Sequence, residues 1–206
     1  MKPHVTLNFA SSLDGVIGRK GERLVFSNSA DKRRVHKLRA NSDGIMVGVN
    51  TVLTDNPHLT VKYARGVNPA RIVIDSRART PLSSQVLDEC ARTIVAVSER
   101  APASRRKKLA KKAEVVVSGK KRVDLKKLME TLHQMKINKI LLEGGGTLNS
   151  SMLENNLVDE IYMTIAPSII GEGIRWVERP LSGDIQLNYV GSKRLGSQVV
   201  LHYTVK

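Results

Sequence analysis

The chain is expected to be an α/β protein with a mostly parallel central sheet flanked by helices and a C-terminal antiparallel hairpin. Short apolar runs of four to seven residues alternate with amphipathic stretches along most of its length, as repeated βα units require. Two of these runs end in glycine junctions, Val47-Gly48 and Glu143-Gly144-Gly145-Gly146, each followed by a segment with helical promise. After Gly171-Glu172-Gly173 the pattern changes to two long runs, 185–194 and 198–205, separated by Leu195-Gly196-Ser197, which predicts a hairpin.

In chain order, residues 4–10 read as the first strand and run into Ala10-Ser11-Ser12-Leu13-Asp14-Gly15, where Asp14-Gly15 signals a turn. Residues 31–40 read as a helix and 44–47 as a strand, with Asn56-Pro57 closing the short segment that follows as a turn. Strands are expected at 71–75, 93–98, 114–117, 139–142 and 160–165. Residues 103–112, opened by Pro102, read as a helix. The clearest helix starts after Asp124, a favourable N-cap, and places Leu125, Leu128, Met129, Leu132 and Met135 on one core-facing side.

With 206 residues, the chain is long enough for one well-buried core and short for two, so residues 1–206 are expected to form a single domain. The single cysteine, Cys90, rules out an intramolecular disulfide and a cysteine-based zinc cluster, and its expected place is in the core. No stretch approaches the roughly 20 apolar residues that span a bilayer, and the N-terminus lacks the apolar run of a signal peptide. A cytoplasmic location is expected. The net charge of +15 is concentrated in Arg105-Arg106-Lys107-Lys108, Lys111-Lys112, Lys120-Lys121-Arg122 and Lys126-Lys127. Aromatic residues make up only 3% of the chain, so stacking platforms for single-stranded nucleic acid are scarce. A solvated basic face is the first reading of this charge, a field drawing in phosphorylated ligands the second, and a nucleic-acid-binding protein the alternative from a different class.

At the end of a parallel strand a glycine turn lets a ligand approach the backbone, and the N–H groups of the following helix favour an anion. Two such junctions at one sheet edge could hold the two ends of a dinucleotide. The segment Gly144-x-Gly146-x-x-Asn149 lacks the third glycine of the Rossmann fingerprint, so a plain nicotinamide-dehydrogenase assignment does not follow. Ser76-Arg77-Ala78-Arg79 follows the strand ending in Asp75. An acid there suits a ribose hydroxyl, whereas a serine with arginines suits a 2′-phosphate, and this favours NADP over NAD. Asp55 and Glu143 stand at the ends of the two junctions and either accept hydrogen bonds from a ligand or cap turns. No histidine has metal-ligand spacing, no HxE with PCxxC is present, and no nucleophile elbow occurs, so no metal site is expected.

The ordered set Ala10-Ser11-Ser12-Leu13-Asp14-Gly15, Val47-Gly48-Val49-Asn50-Thr51-Val52, Asp55-Asn56-Pro57-x-Leu59-Thr60, Leu142-Glu143-Gly144-Gly145, Leu157-Val158-Asp159-Glu160 and residues 167–173 resembles the reductase of riboflavin biosynthesis. That family comprises the reductase half of RibD-type deaminase-reductases and its stand-alone archaeal and fungal counterparts. The resemblance covers nearly the whole chain and implies a dihydrofolate-reductase-like fold, a homodimer, and NADPH as cofactor with NADH accepted less well. By the same resemblance Ala10, Thr51, Asp55, Ser76 and Arg77 would contact the cofactor, and Gly144, Gly145, Gly146, Thr147 and Leu148 would hold its pyrophosphate and nicotinamide ribose. Ser12, Arg39, Leu59, Lys62 and Glu143 would face the substrate. Two departures are visible: Lys62 stands where many members carry arginine, and Leu24-Val25-Phe26-Ser27 lacks a tryptophan common in bacterial relatives.

With no deaminase segment before it, the chain resembles the stand-alone type that reduces before deamination. The implied substrate is 2,5-diamino-6-ribosylamino-4(3H)-pyrimidinone 5′-phosphate, converted to the ribitylamino product by hydride transfer to C1′ of the opened ribosyl imine. No residue announces itself as proton donor, and water or Glu143 are the candidates. A related NADPH reductase acting on the deaminated pyrimidine or another pterin-like substrate is the nearest alternative.

Overall fold

A computed structural model describes residues 1–19, 22 and 24–206 of the chain. Its strands are β1 (His4–Ser11), β2 (Val16–Gly18), β3 (Gly44–Gly48), β4 (Ala70–Ile74), β5 (Thr93–Val97), β6 (Glu114–Val117), β7 (Lys139–Gly144), β8 (Glu160–Ile165), β9 (Ile174–Arg175), β10 (Leu187–Leu195) and β11 (Gln198–Val205). The helices are α1 (Ser29–Ala40), α2 (Val49–Asp55), α3 (Ala103–Leu109), α4 (Leu125–Gln134) and α5 (Gly146–Glu154). Nine strands form one sheet in the order β10-β11-β8-β1-β7-β3-β4-β5-β6. From β8 to β6 every neighbouring pair is parallel, and β11 joins β8 antiparallel.

Strand alternation sorts the apolar residues between two faces. On one face Leu7, Phe9, Met46, Ile72, Ile94 and Leu142 pack with the apolar sides of α4 and α5. On the other, Ile45, Val47, Val73, Val95 and Val97 pack beneath Val49, Val52 and Leu109. Helix α4 follows its amphipathic pattern: Asp124 Oδ1 accepts from the Lys127 N–H at its N-terminus, and Leu125, Leu128, Met129 and Leu132 are buried, with Met135 at the margin. Among the described residues no helix is long and apolar enough to cross a membrane.

Three features depart from the sequence expectation. Cys90 is exposed, because it lies in the loop joining the buried turn of Gln85–Leu87 to β5, where it packs in no core. The hairpin closes more tightly than expected, with Leu195 paired to Gln198 across a two-residue turn in which Gly196 takes φ +66. A small antiparallel pair, β2 with β9, stands apart from the main sheet; two- and three-residue strands leave too little periodicity to be read from sequence.

Helix α1 is held differently from the others. Its fully buried residue is Asp31, and it docks through polar contacts: Arg34 Nε donates to Asp31 Oδ1 at 2.8 Å, and Arg34 Nη2 donates to Asn8 Oδ1 at 2.7 Å and Thr164 Oγ1 at 3.1 Å. Because these directional contacts fix one arrangement where an apolar stripe tolerates sliding, α1 is set in register over β1 and β8, although Asp31 Oδ2 and Arg34 Nη1 stay buried without a hydrogen-bond partner among the described residues.

Candidate active site

The parallel order places β7 beside β3, so the two glycine junctions become neighbours at the carboxyl ends of the strands. There a cleft of about 1730 Å³ opens, walled by the ends of β1, β3, β4 and β7, the N-terminus of α5 and the inner face of α1. The β3–β7 register slips between Met46, which pairs with Leu142, and Val47, which pairs with Gly144. Glu143 is the extra residue, and a bulge at a strand end re-aims its side chain. It points to α1, where Arg39 Nε donates to Oε1 at 2.7 Å and Arg39 Nη2 to Oε2 at 2.6 Å.

Arg39 also donates from Nη1 to the Thr60 carbonyl at 3.0 Å, tying the loop after α2 to the same pair. Burial by itself would lower the Arg39 pKa, but attraction and hydrogen bonding to Glu143 outweigh it and hold the guanidinium above its ordinary value. Both Glu143 oxygens therefore accept from a fixed cation. A carboxylate so engaged is an acceptor with one further lone pair on each oxygen.

Near this pair the cleft is lined by Leu59, Lys62 and His36. Leu59 holds φ +52, a left-handed conformation that costs a side-chain-bearing residue about 1–2 kcal/mol. It persists because the flanking residues are pinned, Thr60 by Arg39 and His58 by Asp88 through Nδ1 at 3.3 Å. The Lys62 N–H donates to His36 Nδ1 at 2.8 Å, which makes that nitrogen the unprotonated one. Burial, then the charge of Arg39, lowers the His36 pKa. Sequence reasoning overlooked His36, whose neighbours in the site come from separate segments.

At the other end, Gly145 is the N-cap of α5 at φ +92 and brings no side-chain cap; the Leu148 N–H donates to the Gly145 carbonyl at 2.9 Å, which leaves the Gly146 and Thr147 N–H groups of the first turn for an anion. A Cβ on Gly146 would lie 2.1 Å from the Arg175 carbonyl oxygen, so residues 174–179 pack directly on this turn. That segment is clamped further: Ser150 Oγ accepts from the Glu178 and Arg179 N–H groups, Asn149 Nδ2 donates to the Trp176 carbonyl, and Thr147 Oγ1 donates to Glu178. Thr51 Oγ1 donates to the Gly144 carbonyl at 3.2 Å and links the two junctions. Ala10, Thr51, Asp55, Gly145, Gly146, Thr147 and Leu148 all line the cleft.

Ser76, Arg77 and Arg79 line its far end, joined there by Arg100, Lys121 and Arg122. Asp75 is turned inward, its Oδ2 accepting from the Thr80 N–H at 2.7 Å and hydroxyl at 2.8 Å, so the acid that could have bound a ribose hydroxyl is engaged elsewhere. Of the residues singled out from sequence, Ser12 and Gly144 lie off the cleft wall: Ser12 is fully buried and its Oγ accepts from the Val16 N–H at 3.0 Å, closing the β1–β2 turn, and Gly144 ends β7 with its carbonyl taken by Thr51. Part of the basic surface is also not simply solvated, since Arg105 donates to the Ala78 and Thr80 carbonyls and braces the turn beside Arg77.

Residues 3–201 match the family described as the RibD C-terminal domain. The chain belongs to this family. Among RibD C-terminal relatives, it is 47% identical to the 2,5-diamino-6-ribosylamino-4(3H)-pyrimidinone 5′-phosphate reductase of Methanothermobacter thermautotrophicus, covering 100% of both chains. The crystal structure of a Thermotoga maritima diaminohydroxyphosphoribosylaminopyrimidine deaminase/5-amino-6-(5-phosphoribosylamino)uracil reductase superposes with TM-score 0.84 at 25% identity, covering 100% of this chain and 57% of that one. A dihydrofolate reductase from Enterococcus faecalis, complexed with NADP(H), superposes with TM-score 0.53 at 12% identity, over 98% of this chain and 96% of that one. The RibD C-terminal fold is thus dihydrofolate-reductase-like.

Proposed function

We propose that the chain is the NADPH-dependent reductase that converts 2,5-diamino-6-ribosylamino-4(3H)-pyrimidinone 5′-phosphate to its ribitylamino product in riboflavin biosynthesis, before deamination, and that residues 1–206 act as one reductase domain. The observation that carries this is the joining, in one cleft, of an uncapped glycine-rich helix start with a bidentate Arg39–Glu143 pair. The substrate named for the Methanothermobacter thermautotrophicus relative supports the diamino compound as the one reduced.

The residues present fit NADPH. The uncapped start of α5 at Gly145–Leu148 would take the pyrophosphate and nicotinamide ribose, Thr51 and Asp55 the middle of the cofactor with Ala10 beside the nicotinamide, and Ser76 with Arg77 the 2′-phosphate. Bound there, NADPH supplies the hydride that reduces C1′ of the opened ribosyl chain. Arg39 and Glu143 orient the substrate, with Leu59 packing on it and Lys62 meeting its phosphate as a point charge. Water supplies the proton in this scheme.

The reductase is further proposed to be cytoplasmic and a homodimer. Exposed Tyr189, Val190 and Val199 on the β10–β11 end of the sheet support a partner copy, which light scattering of the purified protein tests. The activity is tested by NADPH oxidation with the ribosylaminopyrimidinone phosphate made freshly from GTP by a cyclohydrolase, with NADH and the deaminated analogue in parallel. Turnover on the diamino compound with NADPH is expected. Preference for the deaminated analogue would reverse the order of steps.

A further inference from the structure

We infer that Glu178 is an internal competitor of the cofactor: its carboxylate contests the start of α5 with the NADPH pyrophosphate, weakens dinucleotide binding and speeds release. This goes beyond the reductase reading above and rests on its placing of the pyrophosphate at Gly145–Leu148. Glu178 lies in the segment after β9, lines the cleft and is exposed. Thr147 Oγ1 donates to its Oε2. Its Cβ packs against the first residue of the helix, since a Cβ on Gly146 would lie only 2.9 Å from it.

Two properties of the α5 start draw a carboxylate there. The aligned peptide dipoles leave partial positive charge on the first turn, and the Gly146 and Thr147 N–H groups have no acceptor within the helix. The same two properties draw a phosphate. A hydroxyl carries one proton, so Thr147 cannot donate to Glu178 and to a phosphate oxygen at once. A pyrophosphate on this turn therefore meets a like charge beside it and a hydroxyl already engaged. Arg179, next in the chain, also lines the cleft and attracts a phosphate, so removing the Glu178 charge leaves the cation unopposed.

The competition is settled by a side chain, because the backbone that carries it is anchored. The Glu178 and Arg179 N–H groups donate to Ser150 Oγ at 2.9 and 3.0 Å, and that hydroxyl donates to the Gly146 carbonyl at 2.8 Å. Upstream, Asn149 Nδ2 donates to the Trp176 carbonyl at 3.0 Å, and Trp176 stacks on Phe9 of β1 with ring centroids 4.8 Å apart. The Glu178 Cβ thus stays at the helix start while the exposed carboxylate yields by rotating toward solvent. Its displacement costs one hydrogen bond at an exposed position, so the contact lowers affinity without closing the site.

The test is fluorescence titration of NADPH into wild type, Glu178→Gln and Glu178→Ala at low and high salt, with stopped-flow dissociation and melting temperatures in parallel. Both variants keep the backbone bonds to Ser150. Glutamine retains an oxygen for Thr147 and loses the charge, whereas alanine also frees the hydroxyl. The expected result is an NADPH Kd about threefold or more below that of wild type in both variants at low salt. Dissociation should slow in step, and the gain should narrow at high salt as the repulsion is screened. A residue that merely shapes the α5 start would give the opposite sign, weaker NADPH binding with a lowered melting temperature. An unchanged or raised Kd in either variant at low salt would overturn the inference, as would a tightening equal at both salt concentrations. A wild type that binds no NADPH would overturn it together with the reductase reading.

Discussion

Arg39 and Glu143 meet bidentately from a helix and a bulged strand end that are 104 residues apart in sequence, and the pair forms one wall of the cleft. The two side chains are 16% and 13% exposed, so solvent screens the pair only partly. Glu143→Gln keeps the shape but removes the charge that holds Arg39. Turnover should fall roughly ten- to a hundredfold, with the NADPH KM nearly unchanged. Equal losses toward substrate and cofactor in the two KM values would remove its assignment to the substrate.

Arg77→Ala addresses the cofactor end. Loss of a charge-assisted contact to a phosphate should weaken NADPH binding by roughly ten- to a hundredfold while leaving NADH unaffected. Fluorescence titration with both nucleotides reads this directly, and equal losses would detach Arg77 from the 2′-phosphate.

Gly146→Ala should damage cofactor binding through packing. Its Cβ would stand 2.1 Å from the Arg175 carbonyl and 2.9 Å from Glu178 Cβ, so residues 174–179 must move off the α5 start. A lowered melting temperature together with weaker NADPH binding is expected, whereas Gly183→Ala, where nothing lies within 4 Å, serves as the control and should change neither.

Arg71 is fully buried and donates to Asp88 Oδ1 at 2.7 Å and to the Gln85 and Ala91 carbonyls at 3.0 and 2.6 Å. Arg71→Met would leave these acceptors without their cation and should cost about 3–5 kcal/mol in urea unfolding. Because Asp88 also holds His58 beside Leu59, the substrate KM should rise as well. A rise confined to stability would uncouple this network from the cleft.

Two carboxyls set the acid limit. The Asp14 pKa falls from its ordinary value of 3.8 to about 2, through a hydrogen bond with Ser12 and then the Ile170 and Gly171 N–H groups. Burial would raise that of Asp88, but hydrogen bonds from Arg71 and the Cys90 N–H bring it to about 2. Both folded values lie below the unfolded ones, so the stabilisation is present in full above about pH 4 and is lost as pH falls toward 2. Melting temperatures from pH 5 to 2 should drop less steeply in Asp14→Asn and Asp88→Asn than in wild type; parallel curves would show that neither carboxyl is linked to folding.

The sheet core was legible because strands buried on both faces leave continuous apolar runs, as Ile94-Val95-Ala96-Val97 does, and α4 was legible because its stripe repeats at helical spacing. The glycine turn at α5 announced itself for a local reason: a backbone that a neighbouring loop approaches closely has no room for a Cβ. Cys90 was misplaced because a small residue's burial depends on which loop carries it, and no periodicity marks a loop. Ser12 was placed at the substrate by resemblance, whereas its hydroxyl closes the turn to β2.

By itself, then, the sequence determined the α/β class, the elements of the main sheet, the phosphate-suited glycine turn and the basic Ser76-Arg77 strand end, since each arises from residues close together along the chain. Only the tertiary structure decided that β7 lies beside β3, that a bulge turns Glu143 onto Arg39, and that Arg34 ties α1 to Asn8 of β1. Strand order, register slips and the direction of a hydrogen bond are set by partners distant in sequence, and no local spacing encodes them.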